Sequence, residues 1–243
     1  MTNLSTVLVI IPSFNEGSRI GKVVNSVKSQ FADIQVLVVN DDSNDSTESE
    51  ARDAGAEVIS HPTNLGYGSS LETGYLYALR GNYEYVIQMD GDGQHPASEI
   101  SKLLEPVLKG EADFTIGSRY LSGAAPYKTG LIKGWGHKVF SVGYSLLTRY
   151  HITDPTSGFQ CLNRSVIELF TKCRFPEDFP DVDVLLIAHF AGLRMKEVSV
   201  SMLERSGGKS MHSGLKPIYY VAKMLLSIFI VILNRRRWKS YVS

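Results

Sequence analysis

The sequence predicts an α/β protein built on a mostly parallel sheet with helices on both faces, followed by an amphipathic helical tail. Three observations predict it. Short β-branched apolar runs alternate with segments of helical periodicity as far as residue 120. The connections between these segments are too short to separate domains. No internal repeat or low-complexity linker interrupts the 243 residues, a length that fits one large domain or two small ones.

The elements follow in order. TVLVIIP (6–12) is a short β-branched run ended by proline and reads as a buried strand. Ile20, Val23, Val24, Val27 and Phe31 recur at helical spacing. QVLVV (35–39) is a second buried strand. SNDSTESEARDAGA supplies Ser and Asp caps, a polar helix and a glycine stop. EVIS is a short strand, and NLGYGSSLETGYLYALRG is a loop leading into a helix. YEYVIQM is a strand, PASEISKLLEPVLKG a helix with Pro96 near its first turn, and DFTIGS a strand again. Residues 121–160 are rich in Gly, Lys, Tyr and Trp and contain a helix in WGHKVFSVGYSLLTRY. DPTSGF and CLNRSVIELF follow, and DVDVLLIAHFAGLRMKEVSVSML reads as a helix and then a strand. The division expected is a domain over 1–213 and a tail over 214–243.

The hydrophobic share of 43% and charged share of 21% are those of a globular protein. The formal net charge is zero, but eight of the 25 basic residues and none of the 25 acidic ones fall from Arg205 onward. A basic tail on an otherwise acidic body suits an anionic partner such as a phosphate or a lipid headgroup. Cys161 and Cys173 make neither a disulfide framework nor a zinc site. The N-terminus lacks a basic region and its apolar run ends at Pro12, so no signal peptide is expected.

In the tail, the apolar core from Met224 to Leu233 is ten residues long; a spanning helix needs roughly 20. Lys216, Tyr220, Lys223, Ser227 and Asn234 share one helical stripe, and the remaining faces are Leu, Ile, Val and Phe. With basic residues and Trp238 at its end, the segment suits a helix lying in a membrane interface. Packing against the sheet or in a dimer is the alternative.

In open parallel sheets, ligands bind beyond the carboxyl ends of the strands. Those ends carry Ser13 to Glu16, Asn40 to Asp45, Asp90 to His95, and Arg119. Clustered carboxylates repel unless a cation neutralises them. Asp90 and Asp92, on a glycine-loosened turn, are placed to bind one hard divalent ion, Mg²⁺ or Mn²⁺, with substrate phosphates completing its shell. An Asp-Gly turn alone is equally a solvated turn.

Two nucleotide fingerprints fail. After Gly66-Tyr67-Gly68 the last glycine position is Leu71, and five residues before Gly208 stands Leu203. A dehydrogenase and a P-loop enzyme are thereby disfavoured. RSGGKS (205–210) still offers Arg205, Lys209 and free glycine amides to a phosphate, or is simply a flexible basic loop. His95 is the one histidine beside the acidic cluster; His61, His137, His151, His189 and His212 read as surface or satisfied core residues. Asp181 and Asp183 are a general-base pair or, on a second reading, helix-start carboxylates favoured by the dipole.

Taken together, VIIPSFNE, VVNDDSNDST, MDGDGQHP, IGSRY, DPTSGF and ERSGGKS resemble, in order and over nearly the whole chain, the family 2 glycosyltransferases of the Rossmann-like GT-A fold. The likeness is greatest to the polyprenyl-phosphate sugar synthases, which use dolichyl or undecaprenyl phosphate. The resemblance implies that Pro12, Asn15, Glu16, Asp41, Gly66, Asp90 and Arg119 line the donor pocket. It implies that Asp90, Asp92 and Gln94 hold Mg²⁺ or Mn²⁺, and that Ser157, Arg205, Lys209 and Ser210 hold the acceptor phosphate or the diphosphate. Asp90, Asp92, Gln94 and Arg205 would be the catalytic set. Asn40 and Asp42 replace the family's usual Asp and Gly, which blurs nucleotide choice. Tyr67 stands where mannose synthases often carry a basic residue, which favours a UDP-sugar over GDP-mannose.

The function implied is inverting transfer from a nucleotide-diphosphate sugar to a polyprenyl phosphate by an enzyme peripheral to the cytoplasmic face of the membrane. No nucleic-acid partner is expected; a second copy of the chain or a small membrane protein would complete an assembly. A phosphate acceptor is already ionised at neutral pH and needs no strong base, whereas a sugar-hydroxyl acceptor in polysaccharide or cell-wall assembly would need Asp181 or Asp183. A nucleotidyltransferase would want a lysine in SFNEGSR, and a non-catalytic scaffold would not need Asp90, Asp92 and Gln94 intact.

Overall fold

The computed structural model describes residues 4–122, 131–173, 175–176, 180–203 and 216–241. Its strands are β1 (Val7–Ser13), β2 (Gln35–Asn40), β3 (Glu57–Ser60), β4 (Tyr85–Gln88), β5 (Phe114–Ser118), β6 (Gln160–Asn163) and β7 (Met195–Ser199). They form one sheet in the order β3-β2-β1-β4-β6-β5-β7. The helices are α1 (Ile20–Gln30), α2 (Thr47–Asp53), α3 (Tyr67–Arg80), α4 (Ile100–Leu108), α5 (Leu131–Thr148), α6 (Arg164–Lys172), α7 (Val182–Ala191), α8 (Lys216–Leu233) and α9 (Arg235–Trp238).

Side chains alternate across a strand, so β1 serves two cores. Leu8 and Ile10 join Leu37, Val39 and residues of α3, α6 and α7 on one face. Val7, Val9 and Ile11 join Val36, Val38 and residues of α1 and α4 on the other. A sheet buried on both faces explains why its strands read as continuous apolar runs instead of alternating ones. Gly74 lets α3 lie close on β1: a Cβ there would stand 2.5 Å from Ile10 Cγ2.

The element unassigned in CLNRSVIELF is β6 followed directly by α6, whose N-cap Asn163 accepts a hydrogen bond from the Val166 N–H at 3.2 Å. β6 runs antiparallel to both β4 and β5. The chain enters it from the edge where β4 ends, which sets the DPTSGF loop beside the Asp90 turn.

Helix α8 packs on α7, burying Met224 and Val231 in the same core cluster as the sheet. Ser227, from the polar stripe, faces the protein and donates to Asp183 Oδ2 at 2.5 Å. Leu225, Leu226, Phe229, Ile230 and Leu233 point outward, Leu233 67% exposed. Trp238 folds back and donates Nε1–H to the Val231 carbonyl at 3.0 Å. The side chains of Lys216 and Tyr220 lie outside the described residues. Among the described residues no helix is long and apolar enough to cross a membrane.

Candidate active site

The loops after β1 and β2 are knitted together by short polar side chains. Asn15, at φ 56°, donates its N–H to Ser43 Oγ (2.9 Å) and accepts from the Asn44 N–H through Oδ1 (2.9 Å). The Glu16 and Gly17 N–H groups donate to Thr47 Oγ1 (2.8 Å) and Asp45 Oδ2 (3.0 Å). Burial pushes the Asp45 carboxyl up, but hydrogen bonds from Thr47 and Gly17 outweigh it and hold the group below the usual carboxylate range. The Glu16 carboxylate accepts from Arg19 Nε at 2.6 Å. Pro12 lies within β1, opposite Val39 of β2.

Asp41 is buried at the end of β2 and organises the next loop. Its carboxylate accepts from the Leu65 and Gly66 N–H groups, each at 2.9 Å, and meets His61 Nδ1 at 2.8 Å. His61 Nε2 reaches Thr73 Oγ1 at 2.9 Å, so this histidine is the satisfied core residue expected. Each carboxylate oxygen can accept more than one donor, so these bonds leave Asp41 capacity for a further contact.

Asp90 follows β4. Its Oδ1 accepts from the Tyr67 hydroxyl at 2.9 Å, and its backbone N–H donates to His95 Nδ1 at 3.0 Å. That bond makes Nδ1 the acceptor and leaves Nε2 protonated, 3.7 Å from Asp90 Oδ2. His95 stacks on Phe159 with ring centroids 4.8 Å apart. Burial depresses its pKa, more strongly than Asp90 and Asp92 raise it, so the ring is neutral. Burial and then the Asp90 carboxylate push the Tyr67 phenol well above its ordinary value, so it stays a donor.

Asp92 closes an Asx turn, its Oδ1 accepting from the Gln94 N–H at 3.0 Å, with Gly93 at φ 81° supplying the left-handed step. Gln94 joins this turn to the chain entering RSGGKS: its Nε2 donates to the Leu203 carbonyl (3.2 Å) and its carbonyl accepts from the Leu203 N–H (2.9 Å).

Arg119 leaves β5 and grips Asp154 with Nε (2.7 Å) and Nη2 (2.8 Å). Asp154 is fully buried, and its N–H donates to Glu197 Oε1 at 2.7 Å. Glu197 also takes the Thr153 N–H at 2.7 Å, and burial raises its pKa. This network holds the DPTSGF loop over the turn. A Cβ on Gly158 would come within 3.0 Å of the Tyr67 hydroxyl and 3.3 Å of Asp90 Oδ1.

Asp90, Gln94, His95, Arg119, Thr156, Ser157, Gly158 and Met202 surround one small cleft of about 50 Å³. Four of the residues singled out in the sequence (Asp90, Gln94, Arg119 and Ser157) therefore converge from three separate loops. Asn15, Glu16, Asp41 and Gly66 lie in the neighbouring strand-end loops. Arg205, Lys209 and Ser210, with His212, lie outside the described residues. A larger groove lined by Gly17, Ser18, Lys22, Asn25, Glu50 and Asp53 lies between α1 and α2, away from this cluster.

Asp183 sits in the first turn of α7, 1% exposed, its Oδ1 accepting from the Val184 and Asp181 N–H groups at 2.9 and 3.1 Å. It is a helix-start carboxylate, as the second sequence reading held, and burial raises its pKa to about 6.

A mostly parallel sheet with carboxylates and a small polar cleft at its strand ends is the architecture of an α/β protein that binds its ligand at the carboxyl edge of the sheet. Residues 8–170 match the family described as glycosyl transferase family 2, and the chain belongs to that family. A polyprenol monophosphomannose synthase of Mycolicibacterium smegmatis is 30% identical over 221 residues, covering 85% of this chain and 81% of that protein. A UDP-N-acetylglucosamine–dolichyl-phosphate N-acetylglucosaminyltransferase of Methanococcus voltae is 25% identical, covering 81% of this chain and 85% of that one. Among solved structures, glucosyl-3-phosphoglycerate synthase of Mycobacterium tuberculosis, in complex with Mn²⁺ and UDP-glucose, superposes with a TM-score of 0.70 at 20% identity, covering 91% of this chain and 78% of that one.

Sequence reasoning did not find the partners that hold these residues. Asp154 and Glu197 are far from Arg119 in the chain, and no local spacing announces such contacts. DPTSGF marked the loop containing Asp154 but not its ion pair.

Proposed function

We propose that this glycosyltransferase moves a sugar from a nucleoside-diphosphate donor, a UDP-sugar in preference to GDP-mannose, to a polyprenyl phosphate at the cytoplasmic face of a membrane, inverting the anomeric carbon. The observation that carries the reading is the convergence of Asp90, Gln94, Arg119 and Ser157 on one cleft at the carboxyl edge of the sheet. The relatives named for polyprenol and dolichyl phosphate support the acceptor class. Tyr67, in place of a basic residue, supports the donor preference.

The donor set fits a hard divalent cation. Asp90 and Asp92 offer carboxylate oxygens and Gln94 an amide oxygen, the ligand types of Mg²⁺ and Mn²⁺. When bound, the cation neutralises charge developing on the diphosphate leaving group. Asp90, Asp92 and Gln94 would hold it, and Pro12, Asn15, Glu16, Asp41 and Gly66 would line the nucleotide pocket. Arg119 lends positive charge to the cleft while its grip on Asp154 fixes its direction. Ser157, Arg205, Lys209 and Ser210 would take the acceptor phosphate, with Arg205 also facing the leaving group. That acceptor arrives ionised, so no residue has to remove a proton from it.

In this reading residues 1–213 form the transferase domain and residues 214–243 its membrane-interface tail. The outward apolar face of α8 would enter the lipid, and Arg235, Arg236 and Arg237 at its end would meet anionic headgroups. The test is a panel of UDP- and GDP-sugars with Mn²⁺ or Mg²⁺ and a polyprenyl phosphate, with radiolabel read after organic extraction. Label from a UDP-sugar should enter the solvent phase and be lost with EDTA or in Asp92→Ala. Label that stays aqueous with every donor would overturn the lipid acceptor, and full transfer by Asp92→Ala in EDTA would overturn the metal.

A further inference from the structure

Four side chains form a hydrogen-bonded line from the core to the cleft. Tyr75, 1% exposed, donates its hydroxyl to Gln88 Oε1 at 2.8 Å. Gln88, 2% exposed, donates Nε2–H to the Tyr67 hydroxyl oxygen at 3.3 Å, and Tyr67 donates to Asp90 Oδ1 at 2.9 Å. A hydroxyl has a single proton to give. Because Gln88 presents its NH₂ to Tyr67, the Tyr67 proton is committed to Asp90. With the amide turned the other way, Tyr67 would donate to Gln88 and set its lone pairs against an ionised carboxylate at the same distance. The line therefore has one direction that suits a charged Asp90.

Gly158 completes the seat. Its backbone packs against the Tyr67 hydroxyl and both Asp90 oxygens so closely that a Cβ would lie 3.0 to 3.4 Å from them. Asp90 is thus pinned through Oδ1, while its side chain keeps 33% of its surface exposed. Tyr67 reaches it from the first turn of α3, 23 residues earlier in the chain.

Building on the metal reading above, we propose that Tyr67 is a positioning residue for the donor's divalent cation: it occupies Asp90 Oδ1 and fixes the carboxylate so that Oδ2 is presented to the ion. Outer hydrogen-bond partners of metal-binding side chains commonly contribute 10–100-fold to affinity. The role belongs to the Tyr67 hydroxyl and not to its ring, so it separates from packing.

The experiment measures Mn²⁺ binding by electron paramagnetic resonance of the free ion, with UDP present, for the wild-type chain, Tyr67→Phe, Gln88→Met and Asp92→Ala. The uncharged Gln88→Met removes the amide that holds the Tyr67 oxygen without adding a carboxyl to the core. The expected result is roughly 10-fold or greater weakening of Mn²⁺ binding in Tyr67→Phe and a smaller weakening in the same direction in Gln88→Met, with a matching rise in the Mn²⁺ concentration for half-maximal transfer and little change in maximal rate. If Tyr67→Phe fails to fold, Gln88→Met decides alone. Wild-type affinity in the folded variant or variants, with binding lost in Asp92→Ala, would overturn the role of Tyr67 and leave the metal reading standing. No Mn²⁺ uptake by the wild-type chain would overturn both.

Discussion

Asp183→Asn should make the protein more stable at neutral pH, by an amount that the position of Asp183 sets. Burial raises this carboxyl from 3.8 to about 6, against hydrogen bonds from Ser227, Val184 and Asp181 that favour the ionised form. The free form titrates near 3.8, so holding the ionised group in the fold costs about 3 kcal/mol, at about 1.4 kcal/mol per pH unit. The sign follows from the raised pKa. Relative to neutral pH, the folded state has this stability in full below 3.8, loses it as pH rises, and has lost it once pH passes about 6. Asparagine keeps the shape: Oδ1 can still accept from the Val184 and Asp181 N–H groups, and the Ser227 hydroxyl can turn to accept from Nδ2. Urea unfolding of both proteins between pH 4 and 8 reads the difference directly. The variant should lie within about 0.5 kcal/mol of wild type at pH 4 and about 3 kcal/mol above it at pH 7. A gap that does not change with pH, or a variant less stable at pH 8, would refute the buried, ionised Asp183.

Further outcomes follow from other contacts. Gly74→Ala gains about 1 kcal/mol of helix propensity, but its Cβ meets the fully buried Ile10 at 2.5 Å; a net loss of about 1–2 kcal/mol in urea unfolding is expected. Asp154→Ala strips a buried partner from Arg119 and should cost about 3 kcal/mol, with weaker UDP binding by calorimetry because the guanidinium loses its fixed direction. Leu226→Asp with Phe229→Asp alters only the outward face of α8, so flotation with anionic vesicles should fall several-fold while the melting temperature holds. Unchanged flotation together with a shift from dimer to monomer would assign that face to a second copy of the chain instead of lipid.

The strands were legible because a sheet buried on both sides writes itself as short β-branched runs, and β1, β2 and β5 fall where those runs predict. The antiparallel β6 was not. QCLN is four residues long, and its direction is set by where the chain re-enters the sheet after α5, a tertiary fact. Pro96 stands near the helix start as expected, capping a short 3₁₀ turn that runs directly into α4. The site was legible as a set of strand-end loops, since the rule for parallel sheets says where to look. Its wiring was not. Tyr67 and Asp90 are 23 residues apart and Arg119 and Asp154 are 35 apart, and only folding makes either pair neighbours.

The tail shows where periodicity misleads. Ser227 belongs to the polar stripe, and a polar stripe on an amphipathic helix usually meets water. Here the serine turns inward because α7 begins with a buried carboxylate that needs a donor. With Met224, Ser227 and Val231 facing the protein, Leu225, Leu226, Phe229, Ile230 and Leu233 face out. One contact thus has two effects. It closes Asp183 under α8, so this carboxylate is not open to an acceptor hydroxyl. It also turns an apolar face outward beside the arginines of α9, and exposed apolar patches of this kind mark interaction surfaces. An acceptor that is already ionised and carried by a lipid needs what α8 offers and does not need what it covers. Under the proposed function, the docking of α8 therefore favours a phosphate acceptor over a sugar hydroxyl, and it leaves Asp181 as the carboxylate that a hydroxyl acceptor would require.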